Sequence, residues 1–152
     1  MKYLNSVTIS VFAKPSEEDV LAVRQGLVEL VPLNLEKEKI AVNEETAEGF
    51  NEQQIKILTI TLTKASHTNT FLKALLNRLT NEQKELLLRQ RESRLDSDLH
   101  FFIRFDKSKW LSDRRLFITD SGWCYHVKMS LAAFPATREA ALALVEKVFK
   151  TE

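Results

Sequence analysis

One cysteine, three glycines and three prolines in 152 residues rule out several kinds of protein. Cys124 has no second thiol for an internal disulfide, so packing must hold the fold, and a reducing, cytoplasmic setting is expected. Gly26, Gly49 and Gly122 stand too far apart for a Gly-x-Gly-x-x-Gly or Walker-type loop, which excludes a glycine cradle for nucleotide phosphates. The same scarcity predicts few and short loops. No segment approaches the roughly 18 apolar residues of a membrane span. The first residues, Met-Lys-Tyr-Leu-Asn-Ser-Val-Thr, lack the apolar core of a signal peptide, so the chain is expected to stay in solution. No repeat, low-complexity tract or linker divides it, and residues 1–152 read as a single domain.

Complete catalytic constellations are missing too. Cys124 and His126 share a strand face, but residues two apart on a strand lie about 6 to 7 Å from each other, too far for a direct thiol–imidazole hydrogen bond. His100, His126, Cys124 and Asp106 match no zinc-type spacing. The carboxylate pairs Asp96 with Asp98 and Glu44 with Glu45 fall in turn-like segments and read as solvated charge. The chain is therefore expected not to be an enzyme and to need neither metal nor cofactor. A metal-dependent hydrolase on His100, Cys124 and His126 is the rival, weaker reading.

What is present is a globular composition, 44% hydrophobic and 28% charged, enough apolar material for a substantial core. Val7, Ile9, Val11 and Ala13 alternate with Thr8, Ser10 and Phe12, which predicts an opening strand. Pro15 ends it, and Ser16 with Asp19 resembles a capping box before a helix over Glu17 to Val31, whose interior Gly26 hints at close packing. Ile40 and Val42 predict a short second strand, and the acidic run Glu44 to Gly49 a solvated turn or strand edge. Ile55 to Thr63 alternates apolar residues with threonines and predicts another strand. Helices follow over Asn69 to Leu79, over Asn81 to Arg91 behind the capping box of Thr80 and Gln83, and over Arg138 to Lys150 at the end. Arg89, Arg91 and Arg94 suit a helix C-terminus and could also extend a basic edge.

Between these helices lie three aromatic and β-branched runs, Leu99 to Lys107, Arg114 to Thr119 and Trp123 to Met129. They predict a three-stranded meander. Alternation puts Leu99, Phe101, Ile103 and Phe105 on one face and His100, Phe102, Arg104 and Asp106 on the other. The second face, continued through Arg115, Phe117 and Thr119 and then Cys124, His126 and Lys128, interleaves aromatics with cations. Such a surface suits stacked bases and neutralised phosphates. Burial of both Phe102 and Phe117 under helices is the competing reading. Net charge is only +1, but residues 1–60 carry −4 and the remainder +5. Six cations, Arg104, Lys107, Lys109, Arg114, Arg115 and Lys128, face only Asp106, Asp113 and Asp120 within the stretch from Arg104 to Lys128.

Five segments together resemble a small archaeal family. They are Val-Phe-Ala-Lys-Pro-Ser-Glu-Glu-Asp-Val, the helix end Leu-Val-Glu-Leu-Val-Pro, Glu48-Gly49-Phe50, Arg94-Leu95-Asp96, and Phe102 to Lys107. The family is described as RNA-binding proteins and predicted exosome subunits, with a fold similar to the ribosomal large-subunit protein that binds the small ribosomal RNA. The similarity runs from Val7 to about Leu131. This chain departs from it at Asn51-Glu52-Gln53-Gln54 and at Ser108-Lys109-Trp110, where any RNA contacts of the relatives are in doubt.

The expected fold is thus α+β, a mixed or antiparallel sheet of about five or six strands with helices mainly on one face, ribosomal-protein-like. The expected function is non-catalytic binding of structured or ribosomal RNA through Arg104, Lys107, Lys109, Arg114, Arg115, Lys128, Phe102 and Phe117. The resemblance implies exosome or other RNA-processing partners. The alternative is a protein-docking or self-association module, for which an exposed Trp110 would be the anchor.

Overall fold

Alternation decides the first strand and much of the rest. A computed structural model describes residues 2–49 and 52–151; Phe50, the aromatic of the Glu48-Gly49-Phe50 step, and Asn51 lie outside the described residues. In chain order the elements are β1 (Leu4–Ala13), α1 (Val20–Leu30), β2 (Asn43–Glu48), β3 (Gln54–Leu62), α2 (Ala65–Arg78), α3 (Asn81–Arg89), β4 (His100–Asp106), α4 (Lys107–Asp113), β5 (Cys124–Leu131) and α5 (Arg138–Phe149). The strands form one antiparallel sheet in the order β2-β3-β1-β5-β4, so the class is α+β. Val7, Ile9, Val11 and Ala13 on β1, Leu58, Ile60 and Leu62 on β3, Phe101, Ile103 and Phe105 on β4, and Val127 and Met129 on β5 are buried, one face of each strand.

Two compact units make up the fold, residues 1–7, 62–103 and 128–152 in one and residues 8–61 and 104–127 in the other. In the first, α3 packs on α5, and the Phe149 ring of α5 sits 5.6 Å from Phe101 on the buried side of β4. Arg138 ties the start of α5 back to the carbonyls of Leu95 and Glu92. In the second, α1 packs on α4 and on β5. The Tyr125 hydroxyl donates to Val23 O at 2.8 Å, and Trp110 Nε1 donates to Gly26 O at 2.7 Å. A Cβ at Gly26 would meet the Tyr125 hydroxyl and come within 2.8 Å of Leu111 Cδ2, so close approach accounts for glycine here.

Several expectations need correction. The three-stranded meander is not formed. Lys107 to Asp113 coil into α4, because Asp106 caps the helix through Lys109 N–H and because Lys107 and Trp110, three apart on one helix side, are both buried. The middle run keeps only one antiparallel bridge, Phe105 to Ile118, while β4 and β5 pair directly. Trp110 is buried, so it cannot be the exposed docking anchor. Ile40 and Val42 form no strand. Instead the acidic run is β2, exposed along its whole length and held as an edge by register with β3, from Asn43 opposite Thr59 to Glu48 opposite Gln54. Helix α1 starts at Val20 with Asp19 alone as its cap, its carboxylate accepting from Leu21 and Ala22 N–H. Helix α2 begins four residues before Asn69, at Ala65, because His67 and Thr68 are buried in its first turns.

Candidate nucleic-acid interface

The exposed end of β4 is built by backbone pairing. Phe105 points into the core, which turns Arg104 outward on the neighbouring position. The chain returning from α4 then runs beside it. Asp106 N–H donates to Phe117 O at 2.8 Å, and Thr119 N–H donates to Arg104 O at 2.9 Å. This pairing leaves Phe117 48% exposed next to an exposed arginine. The Arg104 guanidinium donates to Asp120 O at 3.0 Å, which fixes its direction without neutralising it. The Asp106 cap sets the first turn of α4 and with it Lys109, whose ammonium lies 6.0 Å from the centre of the Phe117 ring. Arg115 is exposed in the same returning segment. Arg104, Lys109, Arg115 and Phe117 are thus all exposed residues of the unit formed by residues 8–61 and 104–127.

The remaining sequence candidates stand differently. Arg114, in the left-handed region at φ 52°, ends α4; its guanidinium reaches Glu29 at 2.6 Å and donates to the carbonyls of Trp110 and Leu111. Its charge is already paired. Lys107 is buried: its ammonium donates to Phe12 O and to Glu18 Oε1, at 3.0 Å from the latter, and lies 3.9 Å from the centre of the Trp123 ring. Phe102 and Lys128 belong to the other unit, where Phe102 is half-buried with its ring 6.3 Å edge-on to His100 and Lys128 is half-buried on β5.

Two exposed aromatics of the first surface's own unit escaped the sequence reading. Phe12 is 56% exposed and Trp123 40% exposed. A signal existed for both. Phe12 is the lone aromatic on the Thr8 and Ser10 face of β1, and Trp123 follows a glycine directly before a strand.

Cys124 is not set up as a nucleophile. It is buried, and burial pushes its thiol up against the opposing pull of Arg104 and Lys107, so it is held protonated at neutral pH. Among the described residues one trio brings metal-type ligand atoms within 4.8 Å of one another, Asp96, Asp98 and His100. Its central carboxylate is already engaged. Burial opposes ionisation of Asp96, but hydrogen bonds from the His100 amide and ring and from the Asp98 amide outweigh it and hold the carboxyl below its usual value.

Comparison with known proteins matches residues 6–131 to a family model described as RNA binding. An RNA-binding protein of Pyrococcus abyssi is 25% identical over 136 residues, 89% of this chain and 87% of that one. The crystal structure of protein AF2318 of Archaeoglobus fulgidus, from family DUF54, is similar with a TM-score of 0.84 at 28% identity, covering 95% of this chain and 99% of that one. Mth689 of Methanothermobacter thermautotrophicus, also a DUF54 protein, has the same fold with a TM-score of 0.77 at 22% identity, covering 97% of this chain and 99% of that one.

Proposed function

Since the chain belongs to the RNA-binding family whose model spans residues 6–131, we propose that it is a non-catalytic RNA-binding protein. It grips the phosphate backbone with Arg104, Lys109 and Arg115 around Phe117. One observation carries this reading: the exposed Lys109 of α4 stands 6.0 Å from the half-exposed Phe117 ring, on a segment whose backbone pairs with the strand that carries the exposed Arg104. Arg114 and Lys107 serve the same surface from behind, by ending α4 and by anchoring its first turn. Phe102 and Lys128 belong to the other unit and offer RNA contacts of their own there. The RNA is of structured or ribosomal kind, and RNA-processing proteins such as exosome components are the partners this reading suggests. Base identity is not read, because the His100-Phe101-Phe102-Ile103-Arg104-Phe105 strand lacks the glycines of the motif with which single-strand-reading sheets stack bases.

The test is binding of a hairpin RNA at two salt concentrations. Three phosphate contacts give a log–log salt slope of about 2 to 3. Lys109→Glu with Arg115→Glu should weaken binding at least ~10-fold and remove most of that slope. If the hairpin fails to bind at low salt, or if the double variant binds like the parent, the surface is wrongly assigned and protein docking becomes the better reading.

A further inference from the structure

Trp123 differs from an ordinary exposed aromatic in how firmly it is held. Its Nε1 donates to Ser108 Oγ at 3.1 Å, and the Lys107 ammonium lies 3.9 Å from the ring centre. Lys107 is itself fixed, by Phe12 O and by the Glu18 carboxylate, and its own N–H donates to Trp123 O at 3.1 Å. The indole is thus tied at its edge, over its ring and at its backbone, yet 40% of the residue stays open to solvent. An exposed tryptophan normally loses rotamer freedom when something covers it, and an indole N–H covered without a partner costs a hydrogen bond. Neither cost arises here. Phe12, whose carbonyl holds the same lysine, adds a second exposed ring at 56% exposure. Arg104, Lys109 and Arg115 supply positive charge in the same unit.

Resting on the RNA-binding reading above, we propose that Trp123 is a pre-set stacking platform for an unpaired base, so that the preferred ligand is an RNA with a loop or bulge rather than a continuous duplex. A planar, apolar surface ready without further ordering, in a unit whose exposed cations can hold phosphates, fits a nucleobase attached to its backbone. Bases inside a duplex are already stacked on each other and cannot reach such a ring; splayed loop bases can. Lys107 is then a positioning residue, holding the indole from beneath while the phosphates meet Arg104, Lys109 and Arg115.

The two tryptophans make this directly measurable. Trp110 is 3% exposed and donates to a backbone carbonyl inside the fold, so a ligand at the surface quenches Trp123 alone. The probes are a hairpin with a uridine-rich loop and a blunt duplex of the same stem. The hairpin should quench tryptophan emission and bind more tightly; the duplex should leave emission unchanged. Trp123→Phe keeps a ring for stacking, so it should retain hairpin binding within a few-fold while losing the quench. Trp123→Ala should weaken hairpin binding by about 5- to 150-fold, the range expected from removing one stacked base, and leave duplex binding as it was. Hairpin binding with no change in emission, or a Trp123→Ala protein that binds the hairpin like the parent, overturns the platform while the phosphate-gripping surface stands. Failure of both RNAs to bind removes that surface and this inference together. The quench uses the unmodified protein, so the proposal stays decidable even if Trp123→Ala does not fold.

Discussion

A methyl group at position 26 has nowhere to go. It would meet the Tyr125 hydroxyl and lie 2.8 Å from Leu111 Cδ2, and the Tyr125 side chain is not free to retreat. Tyr125 is fully buried with its hydroxyl on Val23 O, a setting that pushes its pKa up through burial, and α4 is pinned to the Gly26 carbonyl by Trp110. In an open helix Gly→Ala stabilises by up to about 1 kcal/mol. Here overpacking, worth about 1 to 3 kcal/mol, reverses the sign. Gly26→Ala should lower the urea midpoint at an unchanged slope, and a raised midpoint would show that the Tyr125 ring yields. The sequence hinted at close packing, since a glycine inside an apolar stripe is costly unless something comes near. It could not say what comes near, because Tyr125 lies 102 residues from Val23. Lys107 was illegible for the same reason. Lysines are rarely buried, and its partners Phe12 and Glu18 lie 95 and 89 residues away.

Elements with local signals were readable, and those defined by distant partners were not. The capping box of Thr80 and Gln83 forms as expected, with Thr80 Oγ1 accepting from Gln83 N–H at 3.1 Å and Gln83 Oε1 accepting from Thr80 N–H at 2.9 Å. Thr137 Oγ1 caps α5 by accepting from Ala140 N–H at 3.2 Å. Strand β1 follows its alternation from Val7 to Ala13. Helix α4 has seven residues, too few for an apolar stripe to show, and β2 has no buried side chain at all. Its strand character comes from backbone pairing with β3 alone. At the candidate site, alternation put Arg104, Arg115 and Phe117 on one expected face and the local charge balance added Lys109, but the helix that carries Lys109 was hidden behind the expected meander. The Asp106 cap makes that helix. Asp106→Ala should destabilise the protein by about 1 kcal/mol, while Asp106→Asn, which can still accept from Lys109 N–H, should cost less; both are read by urea unfolding. Equal losses for the two would mean that the carboxylate acts through charge rather than as a cap.

At the scale of the molecule, a net charge of +1 hides a division along the chain, −4 over residues 1–60 and +5 over the remainder. The basic share supplies the phosphate contacts proposed above. The acidic share has its own consequence at β2. A strand at the end of a sheet offers unpaired backbone groups to any other extended chain, and so templates aggregation. Glu44, Glu45 and Glu48 are all exposed on β2, and Lys56 lies 3.9 Å from Glu44. Two copies approaching edge to edge would bring like charges together at the hydrogen-bonding distance of strands. Replacing all three by Gln keeps side-chain size and removes that repulsion. Light scattering of the concentrated triple variant should then rise with time while the parent solution stays clear, and equal clarity would show that the charges are not what keeps the copies apart.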